Sequence, residues 1–115
     1  MIKYVIHIYY ALRNSIFGIR YSMSEKAVRM EVLIGFFIFP LTFYFIKGKV
    51  EVAIIIISYL IVLITELLNT AVEKTVDRIS YKKHILSKKA KDIGSAAVFL
   101  SILNLFLVFL IILFF

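Results

Sequence analysis

Glu66, Asn69, Glu73 and Asp77 are spaced by three, four and four residues. At about 100° per residue, that spacing lays all four along one stripe of an α-helix. Relative to Glu66, Asn69 falls at about −60°, Glu73 at about −20° and Asp77 at about +20°. The rest of this helix is Ile, Leu and Val, and Glu66 lies about two turns inside the apolar region. A charged side chain deep in a bilayer costs about 2.5 to 3.5 kcal/mol on insertion scales. Such a residue should face protein or a polar cleft. A plainer reading stays open: a protonated Glu66 hydrogen-bonded to a neighbouring helix, holding an assembly together.

Carboxylates at a membrane surface beside lysines have a definite chemistry. Two can hold Mg²⁺, a hard cation that takes oxygen ligands and grips nucleotide phosphates. Lysines neutralise the same phosphates. A third carboxylate, set deeper, could take the proton of a lipid hydroxyl. Together these make a minimal kit for phosphoryl transfer to a lipid alcohol. The only glycines are Gly18, Gly35, Gly48 and Gly94, so neither a P-loop nor a GxGxxG motif is present. A kinase built from this chain would be of an unrelated kind.

Those residues need elements to carry them, and composition says which. The chain has 115 residues, is 63% hydrophobic and has a mean hydropathy of +0.99. Soluble domains carry about 45–50% apolar residues, so this is a membrane protein of one domain, 1–115. Cysteine is absent, which excludes disulfides, thiolate metal sites and thiol catalysis. Uncharged or nearly uncharged runs cover 32–46, 52–72 and 93–115, the middle one broken only by Glu66. A bilayer core of about 30 Å needs about 20 helical residues. The expected spans are about 29–47, 51–73 and 92–115, with a kink at Pro40. Residues 1–26 lack the compact apolar run of a cleavable signal. Their rough stripe of Ile2, Val5, Ile6, Tyr9, Tyr10, Leu12, Ile16 and Ile19 predicts an amphipathic surface helix.

The formal charge is +7, from 14 basic and 7 acidic residues. In so apolar a chain this points to a membrane surface, with no nucleic acid as partner. All the basic residues except Lys47 and Lys49 lie before the first span or between the second and third. The positive-inside rule puts that side in the cytoplasm, so residues 47–51 and the C-terminus face outward. Lys82, Lys83, Lys88 and Lys89 also suit anionic lipid headgroups. For Glu25 and Glu31 the residues alone suggest no more than a solvated interfacial helix.

Three blocks of this chain resemble the prokaryotic integral-membrane diacylglycerol kinase family. Glu66-Leu67-Leu68-Asn69-Thr70-Ala71-Val72-Glu73, running on to Asp77-Arg78, is similar to its E-x-x-N-[ST]-A-[IV]-E-x-x-[IV]-D signature. Ala90-Lys91-Asp92-Ile93-Gly94-Ser95-Ala96-Ala97-Val98 resembles A-K-D-x-G-S-A-A-V. Asn14-Ser15, Gly18, Arg20, Glu25, Ala27, Arg29 and Glu31 resemble the family's N-terminal block.

The resemblance implies an all-α fold: a homotrimeric bundle of three-span subunits, each with an N-terminal surface helix, in the bacterial inner membrane. It implies shared active sites at the cytoplasmic surface and transfer of the γ-phosphate of Mg-ATP to diacylglycerol, giving phosphatidic acid. Glu66 matches the general base and Asn69 its supporting residue. Glu25 and Glu73 match the glutamates that hold Mg²⁺ on ATP. Lys82, Lys83, His84, Lys91 and Asp92 match nucleotide-contacting positions. Ser95, Arg29 and Glu31 fall with Glu66 at the lipid substrate. The sequence departs from the family at Lys82 and Ile85, where acidic residues are usual, and at Ile6, where an arginine that can reach the nucleotide is replaced; Lys3 or Arg13 is the candidate substitute. Undecaprenol kinases share the family, and the Asp77-Arg78-Ile79 and Lys91–Ser95 forms favour the diacylglycerol branch. A non-enzymatic membrane assembly protein is the alternative from another class.

Overall fold

A computed structural model describes residues 1–115. The chain forms four α-helices: α1 (Ile2–Ser22), α2 (Lys26–Phe45), α3 (Lys49–Ile79) and α4 (Ile85–Phe114). The first reversal, at Met23–Glu25, is braced by Arg29, whose Nη1 donates to the Met23 and Ser24 carbonyls at 3.3 and 3.0 Å. These carbonyls lie in the turn just past the end of α1, whose own last carbonyls accept from the Met23, Ser24 and Glu25 amides. Pro40 lies inside α2, and the helix continues through it. The second reversal spans Ile46–Gly48. The third, Ser80–His84, is closed by His84, which accepts a hydrogen bond at Nδ1 from the Leu86 amide (3.2 Å) and so caps α4.

α2, α3 and α4 are each long and apolar enough to cross a membrane. The molecule is a multi-pass membrane protein. The helices overrun the expected spans at their charged ends. α3, with 31 residues, is about 46 Å long, and α4, with 30, about 45 Å. A hydrocarbon core of about 30 Å leaves roughly ten residues of each outside it. The apolar runs fix which ten: the C-terminal end of α3 and the N-terminal end of α4, joined by the third reversal. Local helix signals carry both past the membrane. Lys88 and Asp92 form an i, i+4 ion pair (2.7 Å), and Arg78 sits in the last turn of α3, where the helix dipole favours a cation.

α3 is the central helix, packed on α2 and on α4. One face of α3 is buried along its length: Ile55, Ser58, Tyr59, Val62, Glu66 and Asn69. Tyr59 and Val62 meet Leu105 of α4, with Ile38, Phe39, Leu63 and Phe109 around them. A shared hydroxyl pair, Thr65 Oγ1 and Ser101 Oγ at 2.8 Å, links α3 to α4. Only 12 of 115 residues are buried. In water that would leave an impossible apolar surface; against lipid tails it costs little. α1 contributes only Ser22 to the buried set and lies almost wholly exposed.

Candidate functional site

The polar stripe of α3 lies on the face that the chain buries. Glu66 is 6% exposed and Asn69 8%. Around them opens a cavity of about 340 Å³, lined by Glu25, Lys26, Ala27, Glu66, Asn69, Thr70, Glu73, Ser95 and Val98. Three elements build it. The first reversal supplies Glu25, which is the N-cap position of α2. α3 supplies Glu66, Asn69 and Glu73 from successive turns. α4 supplies Ser95, and its Gly94 lets the two helices close: a Cβ there would collide with Asn69 Oδ1.

The hydrogen bonds within the cavity are sparse. Asn69 Nδ2 donates to Glu73 Oε1 at 3.3 Å. Asn69 Oδ1 is buried without a partner. A buried carbonyl oxygen left unpaired costs about 1–3 kcal/mol, so it marks a place where a further donor or cation belongs. Glu25 forms an ion pair with Lys74 at 2.6 Å. No cluster of three or more His, Asp or Glu side chains forms, so there is no all-protein metal cage. Two carboxylates on one cavity still suit Mg²⁺. That ion takes one or two carboxylates and completes its octahedron with waters and phosphate oxygens.

A second cavity, of about 640 Å³, lies at the third reversal. Lys82, Lys83, His84, Lys91 and Asp92 all line it, together with Asp77 and Lys88. Lys91 Nζ reaches across from α4 to Asp77 Oδ1 on α3 at 2.6 Å. In this overhang, outside the bilayer, the hydrogen bond that Lys91 donates to Asp77 raises its ammonium above the usual lysine range, and the bond to Glu25 does the same for Lys74. Both remain cations at any working pH.

The remaining candidates stand apart from these cavities. Arg13 lies on α1 with its guanidinium over the Tyr10 ring (4.7 Å), outside both. Arg29 braces the first reversal. Glu31 is part-buried on α2, with Oε2 unpartnered. Sequence reasoning missed Asp77 and Lys74 as partners of Lys91 and Glu25. Asp77 was visible on the polar stripe, but nothing in one sequence shows which lysine of another helix meets it. His84 stood among nucleotide contacts for its place in the loop; its Nδ1 is engaged as a helix cap.

Three apolar helices that carry a carboxylate-lined cavity and a lysine-rich one at a common end define a multi-pass membrane protein with a polar site at one end of its bundle. Residues 13–113 match the family model described as prokaryotic diacylglycerol kinase. The chain is 40% identical over 97 residues to the "Diacylglycerol kinase" of Haemophilus influenzae, covering 84% of this chain and 82% of that one. It is 46% identical over 79 residues to that of Pseudomonas aeruginosa, covering 69% and 64% respectively. To the Escherichia coli protein of the same name it is 36% identical over 81 residues, covering 70% and 66%. This chain belongs to the prokaryotic diacylglycerol kinase family and is an enzyme of a kinase family.

Proposed function

We propose that this protein transfers the γ-phosphate of ATP to the hydroxyl of diacylglycerol, giving phosphatidic acid and ADP, at the cytoplasmic face of the bacterial inner membrane. The observation that carries the reading is the convergence of Glu25, Glu66, Asn69, Glu73 and Ser95, from three elements, on one cavity. Its depth suits the acceptor. A diacylglycerol hydroxyl lies at the membrane interface, and a base within a span meets it without the lipid leaving the bilayer.

Glu66 takes the hydroxyl proton as the lipid oxygen forms its bond to the γ-phosphorus and the bond to the ADP oxygen breaks. Asn69 braces Glu73 through its Nδ2, while its Oδ1 is turned against Gly94 of α4. Glu25 and Glu73 would hold Mg²⁺, which when bound neutralises the phosphate oxygens. Lys91, Lys82 and Lys83 add positive charge beside the N-terminus of α4, where backbone N–H groups favour phosphate. Asp92 and His84 border that cavity. Ser95 lines the acceptor side, and Arg29 and Glu31 join it in the lipid-binding set. Arg13 lies on α1 away from both cavities.

The active unit in this reading is a homotrimer with α1 lying on the membrane surface. Exposed α3 residues such as Ile57, Ile64 and Leu68 offer apolar area to a second copy. Asn104, exposed within the uncharged run of α4, gains a polar partner more readily from a neighbouring copy than from lipid tails. The test is purified protein in mixed micelles with Mg-ATP, assayed separately with diacylglycerol and with undecaprenol. Labelled phosphate on diacylglycerol supports the proposal. Label on undecaprenol alone moves the chain to the other branch of the family, and label on neither lipid removes both kinase readings.

A further inference from the structure

Tyr59 is the one large polar side chain fully enclosed in the membrane half of the bundle, 4% exposed, and the phosphotransfer reading gives it no role. Its hydroxyl donates to the main-chain carbonyl of Glu31 on α2 at 2.8 Å. Its ring stands edge-on to Phe39, centroids 4.9 Å apart. The space it occupies exists because residue 35 is glycine. A Cβ at Gly35 would collide with the Tyr59 hydroxyl and the ring carbon that bears it. The pair is therefore complementary: a large side chain on α3 seated in a notch on α2, with a hydrogen bond at its tip.

The position of this joint gives it a consequence. Tyr59 and Glu66 are seven residues apart, nearly two helical turns, so they lie on the same face of α3, about 20° apart. Glu31 supplies the carbonyl to which Tyr59 is tied, and the Glu31 side chain leans toward the N-terminus of α2, the charged end of the bundle. There its carboxyl is part-buried, with Oε2 unpartnered. A slip of α2 by one residue would move Glu31 by about 1.5 Å and turn it by about 100°. Apolar contacts at Ile38 and Phe39 are too uniform to forbid such a slip; a hydrogen bond in a glycine notch does forbid it.

We propose that Tyr59, seated against Gly35 and bonded to the Glu31 carbonyl, is a positioning residue that fixes the register of α2 on α3, the helix that carries Glu66, and so sets where the Glu31 carboxyl lies relative to α3. The inference rests on the kinase reading for its effect on turnover, and on geometry alone for its effect on the helices. Two readouts keep these apart. The chain has no cysteine, so spin labels can be placed cleanly on the exposed positions Leu33 and Ile64, in protein diluted with unlabelled chains. The unmodified pairing gives one narrow distance distribution. Tyr59→Phe broadens it, and Gly35→Ala shifts its centre; an unchanged distribution in both variants overturns the proposal.

In the kinetic arm, Tyr59→Phe lowers kcat about fivefold, the worth of one net hydrogen bond, and leaves the KM for Mg-ATP unaltered. An unchanged kcat, or a loss that falls wholly in that KM, also overturns it. Should the unsubstituted protein phosphorylate neither lipid, the kinase reading fails, and the distance measurement still decides whether the joint sets the register.

Discussion

Each of the three cavity carboxylates has a different neighbour, and the neighbour sets what it can do. Glu25 faces Lys74, Glu73 faces the Asn69 amide, and Glu66 has no hydrogen-bond partner recorded around it, only enclosure. A carboxylate with no competing partner is free to accept a substrate proton. Glu66→Gln keeps the shape and loses the base. It should lower lipid phosphorylation by about 10²- to 10⁴-fold, the usual worth of general-base catalysis, while the variant elutes with the parent in size-exclusion chromatography. Undiminished turnover would return Glu66 to the role of interhelical glue. Gly94 offers a second check on the same spot. The methyl of Gly94→Ala must displace the Asn69 carboxamide or part the two helices. Overpacking of this kind costs about 1–3 kcal/mol, so a lowered thermal midpoint in detergent together with reduced kcat is expected. Glu66, Asn69 and Glu73 were legible as a stripe because helical spacing is a property of the chain alone. The contact of Asn69 with Gly94 was not, because it depends on how two helices approach.

Helix ends rather than helix middles make the lysine-rich cavity. α3 and α4 both run past the bilayer, and their projecting turns face each other across the short third reversal. Lys91 and Asp77 bridge that gap, each about one-third exposed. An ion pair so open to water contributes about 0–1 kcal/mol, so Asp77→Asn should shift the thermal midpoint little. Its effect should appear in ligand handling: without its carboxylate partner, Lys91 is no longer held at the cavity, and the KM for Mg-ATP rises severalfold while kcat for diacylglycerol changes less. Equal KM values would mean that Asp77 does not orient Lys91 toward phosphate. The three spans themselves were readable from the apolar runs, and α1 from its rough apolar stripe. Their ends were not, because hydropathy reports where the lipid stops and says nothing of where the helix stops. Lys88–Asp92 and the His84 cap continue α4 eight residues beyond its uncharged run.

At the scale of the whole molecule, the chain is a thin slab of helices, 48 × 46 × 22 Å, with its charges gathered at one end. The asymmetry is what makes orientation predictable. All its basic residues but Lys47 and Lys49 lie on the side of α1 and the third reversal, and Lys and Arg in short loops are retained in the cytoplasm. Lys47 is further held at the opposite interface by the Tyr44 carbonyl (2.8 Å) and sits near the Tyr44 ring; tyrosine at the headgroup level is a familiar anchor. Because cysteine is absent, single substitutions Lys83→Cys and Lys49→Cys report the two sides without background. In intact spheroplasts, a membrane-impermeant maleimide should label residue 49 and spare residue 83 until the membrane is opened. The proposed phosphotransfer requires the same orientation, since cytoplasmic ATP would have to reach the lysine-rich cavity. Labelling of residue 83 from outside would place that cavity on the side without nucleotide, and the phosphotransfer reading would fall with it.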